Sequence, residues 1–274
     1  MPAHNAITPD KLARLIALPG VPCILDLRAA SDKAIPGSQF TGFESVLAWK
    51  REPDRTVIIV DEDGGASAAA AAAMLRSDGV AAEVLEGGFA AWTAAGLPVL
   101  SLAHVPARHD DGRTWWVTRA RPKVDRIACP WLIRRFVDAD ARFLFVTPAE
   151  VLPVAQQHQA EPFDVGGDGV FWSHRGHLCT FDVMVEAFGL GTHEPLNRLA
   201  AIVRGADTDR LDVAPEAAGL LAISLGLSRV HNDDHAQLDA GLAVYDALYR
   251  WCRDAQGEKH DWTSHQPARG RVSA

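Results

Sequence analysis

Short apolar runs alternating with helix signals before residue 100 restrict this chain more than any other feature. Cys23-Ile24-Leu25-Asp26-Leu27-Arg28 and Thr56-Val57-Ile58-Ile59-Val60 are continuous apolar stretches of strand length. Such runs suit strands buried on both faces, as in a parallel sheet. Glu83-Val84-Leu85 is a third. Helix signals fall between and around them. Thr8-Pro9-Asp10 places an N-cap, a first-turn proline and a first-turn acid ahead of Leu12, Leu15 and Ile16. An alanine-rich segment reaches Leu75, and Phe89 to Ala95 form a short helix with Trp92, stopped by Gly96-Leu97-Pro98. Turns are expected at Ile35-Pro36-Gly37 and Gly87-Gly88. Strand–helix alternation predicts an α/β unit with a parallel sheet and flanking helices.

The totals limit function. A chain of 274 residues, 48% hydrophobic and 23% charged, can bury a sizeable core. A net charge of −8 argues against whole-surface attraction to nucleic acid. Cys23, Cys129, Cys179 and Cys252 lie far apart and form no C-x-x-C pair, which favours a reducing compartment. The N-terminus has no basic segment followed by an apolar core, and Ala66 to Leu75 is too short to span a bilayer. The expectation is a cytoplasmic protein without nucleic-acid or membrane partners.

Polar, turn-rich residues 101–114 read as a linker, and the composition changes beyond them. Trp115 to Val117 is strand-like. A cationic segment follows, with Arg119, Arg121, Lys123 and Arg126 as candidate anion-binding groups, since an arginine fork can donate two hydrogen bonds to an oxyanion. Cys129-Pro130 then reads as a helix start, because proline fits a first turn. At that position Cys129 is a candidate reactive thiolate, favoured by unpaired N–H groups and fixed positive charge. A small buried cysteine beside a charged helix fits the same residues.

Phe163 to Trp172 suggests a hairpin, and helices dominate afterwards, over Phe181–Leu190, Glu194–Gly205, Glu216–Leu225 and from Asp234 to about Ala255. The tail, 256–274, is polar and expected to be loose. Two segments carry potential metal ligands. SHRGHLCTFD holds His174, His177, Cys179 and Asp182; HNDDH holds His231, Asp233, Asp234 and His235. Asp207 ends a helix nearby in sequence. Imidazole and carboxylate donors suit zinc, manganese or iron. Solvated loops and an aspartate N-cap are the plainer reading of both segments.

Two resemblances follow from these residues. Leu25 to Arg28, Ile35 to Ser38, VIIVDEDGGAS and Gly87 to Val99 resemble a rhodanese-like domain, over roughly residues 5–100. Active members open the loop after the central strand with a cysteine that carries a persulfide, and hold an arginine before a serine or threonine. Here Asp61 stands at the cysteine position and Ala66 at the arginine position, while Gly64 and Ser67 fit. A carboxylate cannot form a persulfide, so this resemblance implies a scaffold or a protein-docking module without sulfurtransferase activity. From Trp115 onward, DRIACPWLIRRF, DADARFLFV, HRGHLCTFD, IVRGADTD and HNDDH…YDALY resemble the C-terminal domain of the chromate-resistance, ChrB-type family. The expected architecture is therefore a rhodanese-like α/β domain (1–100), a linker (101–114) and a mainly α, α+β domain (115–255). The resemblance implies a role in chromate resistance through binding or sensing an oxyanion or metal ion. A metal- or thiol-dependent detoxifying enzyme and a chromate-responsive regulator are the alternatives.

Overall fold

The computed structural model describes residues 5–47, 55–167 and 169–258. The loose tail expected from 256 onward thus lies mostly outside the described residues. In the N-terminal half the strands are β1 (Ala6–Ile7), β2 (Cys23–Asp26), β3 (Lys33–Ala34), β4 (Ser38–Phe40), β5 (Val57–Val60), β6 (Ala82–Leu85) and β7 (Leu100–Ser101). Five form a parallel sheet in the order β1-β6-β5-β2-β4. The central strand β5 is buried along its whole length, as its unbroken run of branched residues requires.

Helices α1 (Pro9–Leu15), α2 (Phe43–Leu47), α3 (Ala66–Ser77) and α4 (Gly88–Ala94) complete this half. Thr8 caps α1 by accepting a hydrogen bond from the Lys11 N–H, and Pro9 opens the helix. Ala68, Ala71, Ala72 and Leu75 form the buried face of α3, where small side chains permit close approach to the sheet. Gly88, at φ 59°, is required by packing: a Cβ there would lie 2.5 Å from the Asp61 carbonyl oxygen. That close approach ties the start of α4 to the loop after β5.

The second half holds a three-stranded parallel sheet, β10 (Glu161–Pro162), β8 (Trp115–Arg119) and β9 (Arg142–Val146), in that order. Around it lie α5 (Asp125–Leu132), α6 (Val151–His158), α7 (Thr180–Ala187), α8 (Glu194–Asp207), α9 (Ala217–Val230) and α10 (Asp234–Asp254). A π-helical turn, Ile133–Val137, extends α5. Trp131 is the buried hub: its indole N–H donates to Asp246 at 2.8 Å, and Phe136, Phe181, Tyr245 and Tyr249 surround its ring. Gly241 lets α10 cross α5, since a Cβ there would meet Ile127 Cγ2 at 2.6 Å.

Three expectations need correction. Helix α5 begins at Asp125, so Cys129 and Pro130 lie inside it rather than at its mouth. The Phe163–Trp172 hairpin is instead an isolated parallel bridge, because β10 already pairs with β8 and the backbone turns at Asp164, φ 49°. Residues 101–114 do not simply separate two bodies. Ser101 pairs with Lys33 in the antiparallel β3–β7 ladder, and its N–H donates to the Phe188 carbonyl at 2.8 Å. One apolar core runs from Ile24, Ile58 and Trp92 into Trp116, Trp131 and Phe188, across both halves.

Candidate metal centre

Four elements of the second half converge on one acidic cluster. Asp125 is the first residue of α5, wholly buried, and its Oδ2 accepts the Thr180 N–H at 2.6 Å. Thr180 begins α7, so this carboxylate sits against a helix N-terminus, where negative charge is favoured. Asp207, the last residue of α8, accepts the Asp125 backbone N–H at 3.4 Å. Asp164 follows β10 and accepts the Thr180 hydroxyl at 3.1 Å. Its left-handed backbone is unusual for a non-glycine residue, and such conformations cluster at functional sites. His174 closes the cluster from a loop held by the Arg175–Leu178 bridge.

The imidazole is the centrepiece. His174 Nε2 lies 3.2 Å from Asp207 Oδ2, 3.5 Å from Asp164 Oδ1 and 3.6 Å from Asp125 Oδ2. Ligand atoms of Asp125, His174 and Asp207 all fall within 4.8 Å of one another. Neighbouring ligands on a cation with bonds of about 2.1 Å stand about 3.0–3.4 Å apart, so the spacing needs little adjustment to accept an ion. Asp125 Oδ1 is buried with no hydrogen-bond partner among the described residues, a costly state for a carboxylate oxygen. The His174 side chain is 42% exposed, which leaves a way in from solvent.

Electrostatics follow from this crowding. Burial, then the Asp207 and Asp164 charges, push the Asp125 carboxyl well above its ordinary range. Hydrogen bonds to Asp164 and Asp207 raise the His174 imidazole to about 10. Burial would raise Asp164 too, but the His174 hydrogen bond and the Arg126 and Arg119 charges outweigh it and hold that carboxyl low.

The residues singled out from sequence divide accordingly. His174 and Asp207 enter the cluster. His177 is exposed on the same loop and makes no part of it. Asp182 instead closes a capping box, accepting the Cys179 N–H at 3.0 Å, and pairs with Arg204 at 2.6 Å. The HNDDH segment is a joint between two helices: His231 ends α9, Asp233 caps α10, and His235 lies in the first turn. His231 and His235 therefore do not share a helix face. Asp234 accepts the Arg121 N–H at 2.9 Å, and none of His231, Asp234 and His235 joins the acidic cluster.

The cationic segment is largely occupied. Arg119 and Arg126 both pair with Asp164, at 3.1 and 3.2 Å. Arg121 donates to the carbonyls of Ser228, His231 and Asn232 at the end of α9. Lys123 is exposed. These side chains build the acidic site and its surroundings rather than an oxyanion cradle. Cys129 is fully buried, and burial together with Asp125 and Asp164 pushes its thiol well up. The expected cationic approach is replaced by carboxylates, which oppose a thiolate.

The loop after β5 shows what Asp61 does. Its Oδ1 accepts the N–H groups of Gly64 and Gly65 at 2.6 and 3.2 Å, and its Oδ2 accepts that of Ala68 at 3.0 Å. The side chain at the position of the expected nucleophile fills the loop's own ring of donors. Gly64 supplies a left-handed turn at φ 71°, and Ala66 and Ser67 begin α3.

Asp125 and Asp164 are the two site residues that sequence reasoning missed. Asp125 stands inside the DRIACPW motif, and a carboxylate at a helix start was a usable signal. Asp164 had none, because its role depends on where β10 ends.

Comparisons with known proteins agree with this division. The model of the ChrB C-terminal domain matches residues 116–252, and that of the rhodanese-like domain matches residues 8–95. A curated relative, Protein ChrB of Cupriavidus metallidurans, is 39% identical over 135 residues, which cover 49% of this chain and 39% of that protein. Among solved structures, a thiosulfate sulfurtransferase from Pseudomonas aeruginosa is 28% identical over 36% of this chain and 19% of its own, with a TM-score of 0.32. A rhodanese-related protein from Thermoplasma volcanium is 25% identical over 35% of this chain and 97% of its own, with a TM-score of 0.31. With half of its length matched by that domain, the chain belongs to the ChrB C-terminal domain family, and it carries a rhodanese-like domain ahead of it.

Proposed function

We propose that this protein serves chromate resistance by binding a divalent cation at Asp125, His174 and Asp207, with Asp164 beside them. The observation that carries this reading is the convergence of three ligand atoms within 4.8 Å beside a buried carboxylate oxygen lacking a partner. Carboxylates outnumber imidazole, a donor set suited to manganese or iron and tolerable to zinc. In the metal-free protein His174 Nε2 faces all three acids; to hold a cation the ring would release its Nε2 proton to solvent, and that nitrogen would then serve as a ligand beside the Asp125 and Asp207 carboxylates. Arg119 and Arg126 hold Asp164 through its Oδ2, while His174 and Thr180 meet its Oδ1.

The rhodanese-like domain acts as a scaffold and as a surface for a protein partner, in a cytoplasmic setting. A thiosulfate–cyanide assay should therefore be blank. A thiol enzyme centred on Cys129 is disfavoured by its burial among carboxylates.

The test is elemental analysis of the protein as purified, followed by calorimetric titration with Mn²⁺, Fe²⁺ and Zn²⁺. One ion per chain, lost in His174→Ala and in Asp207→Asn, supports the reading. No saturable binding by any of the three ions sinks it.

A further inference from the structure

A cavity of about 410 Å³ opens where the two halves of the chain meet, and it shares no residue with the acidic cluster. Sites for small molecules span roughly 300–1,000 Å³ and favour domain interfaces. Helices α1 and α4 line the cavity from one half; the π-helical turn, the start of α8 and the end of α10 line it from the other. Trp92, Phe136 and Tyr249 supply aromatic walls, joined by Ile16 and Leu97.

The polar ends of these rings are already satisfied. The Trp92 indole N–H donates to the Pro98 carbonyl at 2.8 Å, and the Tyr249 hydroxyl and His193 Nε2 share a hydrogen bond at 2.9 Å. Burial and the Arg253 charge lower the His193 imidazole to about 4, so it is neutral at neutral pH. Arg253 Nε meets Asp254 at 3.1 Å, and Asp254 also meets Arg250 at 3.0 Å. Two lining charges stay uncommitted. Asp10 and Arg14 stand one turn apart on α1, with the acid N-terminal to the base, the order that favours an ion pair on a helix. Neither makes a hydrogen bond or ion pair with any described residue, and both line the cavity while exposed to solvent.

We infer that this cavity binds a small zwitterion, an α-amino acid with an aromatic side chain. The ligand's ring packs against Trp92, Phe136 and Tyr249, as offset or edge-on aromatic pairs do. Asp10 takes its ammonium group. Arg14 takes its carboxylate, to which the guanidinium fork can donate two hydrogen bonds. One open acid and one open base beside an aromatic interior match a ligand with both charges and an apolar body. A simple organic acid would leave Asp10 unanswered, and a simple amine would leave Arg14 unanswered. The lining comes from both halves, so the ligand bridges them. The inference is independent of the cation site.

Calorimetric titration of the full chain with L-phenylalanine and L-tryptophan tests it. The comparison ligands lack the ammonium group (hydrocinnamate, indolepropionate) or the carboxylate (phenethylamine, tryptamine). Wild type should bind at least one of the two amino acids saturably, one per chain, and its two truncated analogues at least about tenfold more weakly, the scale of one charge-assisted hydrogen bond. Asp10→Asn should weaken the amino acid at least about tenfold and leave the analogue without ammonium unchanged. Arg14→Gln should do the same and leave the analogue without carboxylate unchanged. The Mn²⁺ titration should stay unchanged in both variants. No saturable binding of either amino acid, analogues that bind as tightly, or unchanged amino-acid binding in either variant overturns the inference. If a variant does not fold, the analogue comparison on wild type decides alone.

Discussion

The Asp125→Asn substitution separates a cation site from a merely structural polar cluster. Burial and two neighbouring carboxylates favour the protonated form of Asp125 in the metal-free protein. Asparagine is close in shape to that form and can still accept the Thr180 N–H. The metal-free variant should therefore unfold within about 1 kcal/mol of wild type, the net scale of one hydrogen bond. Metal binding should respond differently. Even at the dielectric constant of water, a divalent ion about 2.1 Å from a carboxylate oxygen gains roughly 4 kcal/mol, about a thousandfold in affinity. Displacing the Asp125 proton offsets part of this, which leaves a loss on the order of a hundredfold. At a metal concentration of about 100 times the dissociation constant, wild type gains about 2.7 kcal/mol; at the same concentration the variant gains only about 0.4 kcal/mol. At roughly 2–4 °C per kcal/mol, that is a melting shift of about 5–10 °C against about 1–2 °C. Calorimetric melts with and without Mn²⁺ read both quantities. A full metal-induced shift in Asp125→Asn would refute the assignment of this carboxylate as a ligand.

Further outcomes follow from other parts of the fold. In the metal-free protein the His174 imidazole is raised from 6.5 to about 10. Its contribution to stability is thus fully present below about 6.5 and is lost as pH rises through about 10. NMR titration should find this ring still protonated at pH 8, and a ring that titrates near 6.5 would contradict the geometry. Gly241→Ala should destabilise by about 1–3 kcal/mol through the clash with Ile127, read as a lowered denaturant midpoint. Iodoacetamide should leave Cys129 and Cys179 unlabelled in the native protein, because both thiols are buried and pushed up by burial and by Asp125; rapid labelling of either would show that the surrounding core opens.

How much could be read beforehand varied with the range of the interactions involved. The strands at Cys23 and Thr56, the Thr8 cap and the alanine helix rest on local pattern, and the structure reproduces them. His174 and Asp207 stood out as metal-ligand types. Their partners did not, since Asp125, Asp164 and Thr180 meet only when α5, β10 and α7 pack together. Cys129 misled for the same reason. Proline at a helix start is a sound local rule, but the helix had already begun at Asp125, where the carboxylate meets Thr180. The positive charges near it in sequence turn to Asp164 and to the end of α9 in space. Asp61 marks the opposite case: read locally it stands at the position of the expected nucleophile, and in the structure its carboxylate accepts the Gly64, Gly65 and Ala68 N–H groups.

Anomalous diffraction at the manganese edge, from crystals grown with Mn²⁺, tests the central claim most directly. A single strong peak within about 2.3 Å of His174 Nε2 and of Asp125 and Asp207 carboxylate oxygens is the predicted result. A fully occupied peak elsewhere, or no peak at this cluster under saturating Mn²⁺, would contradict it.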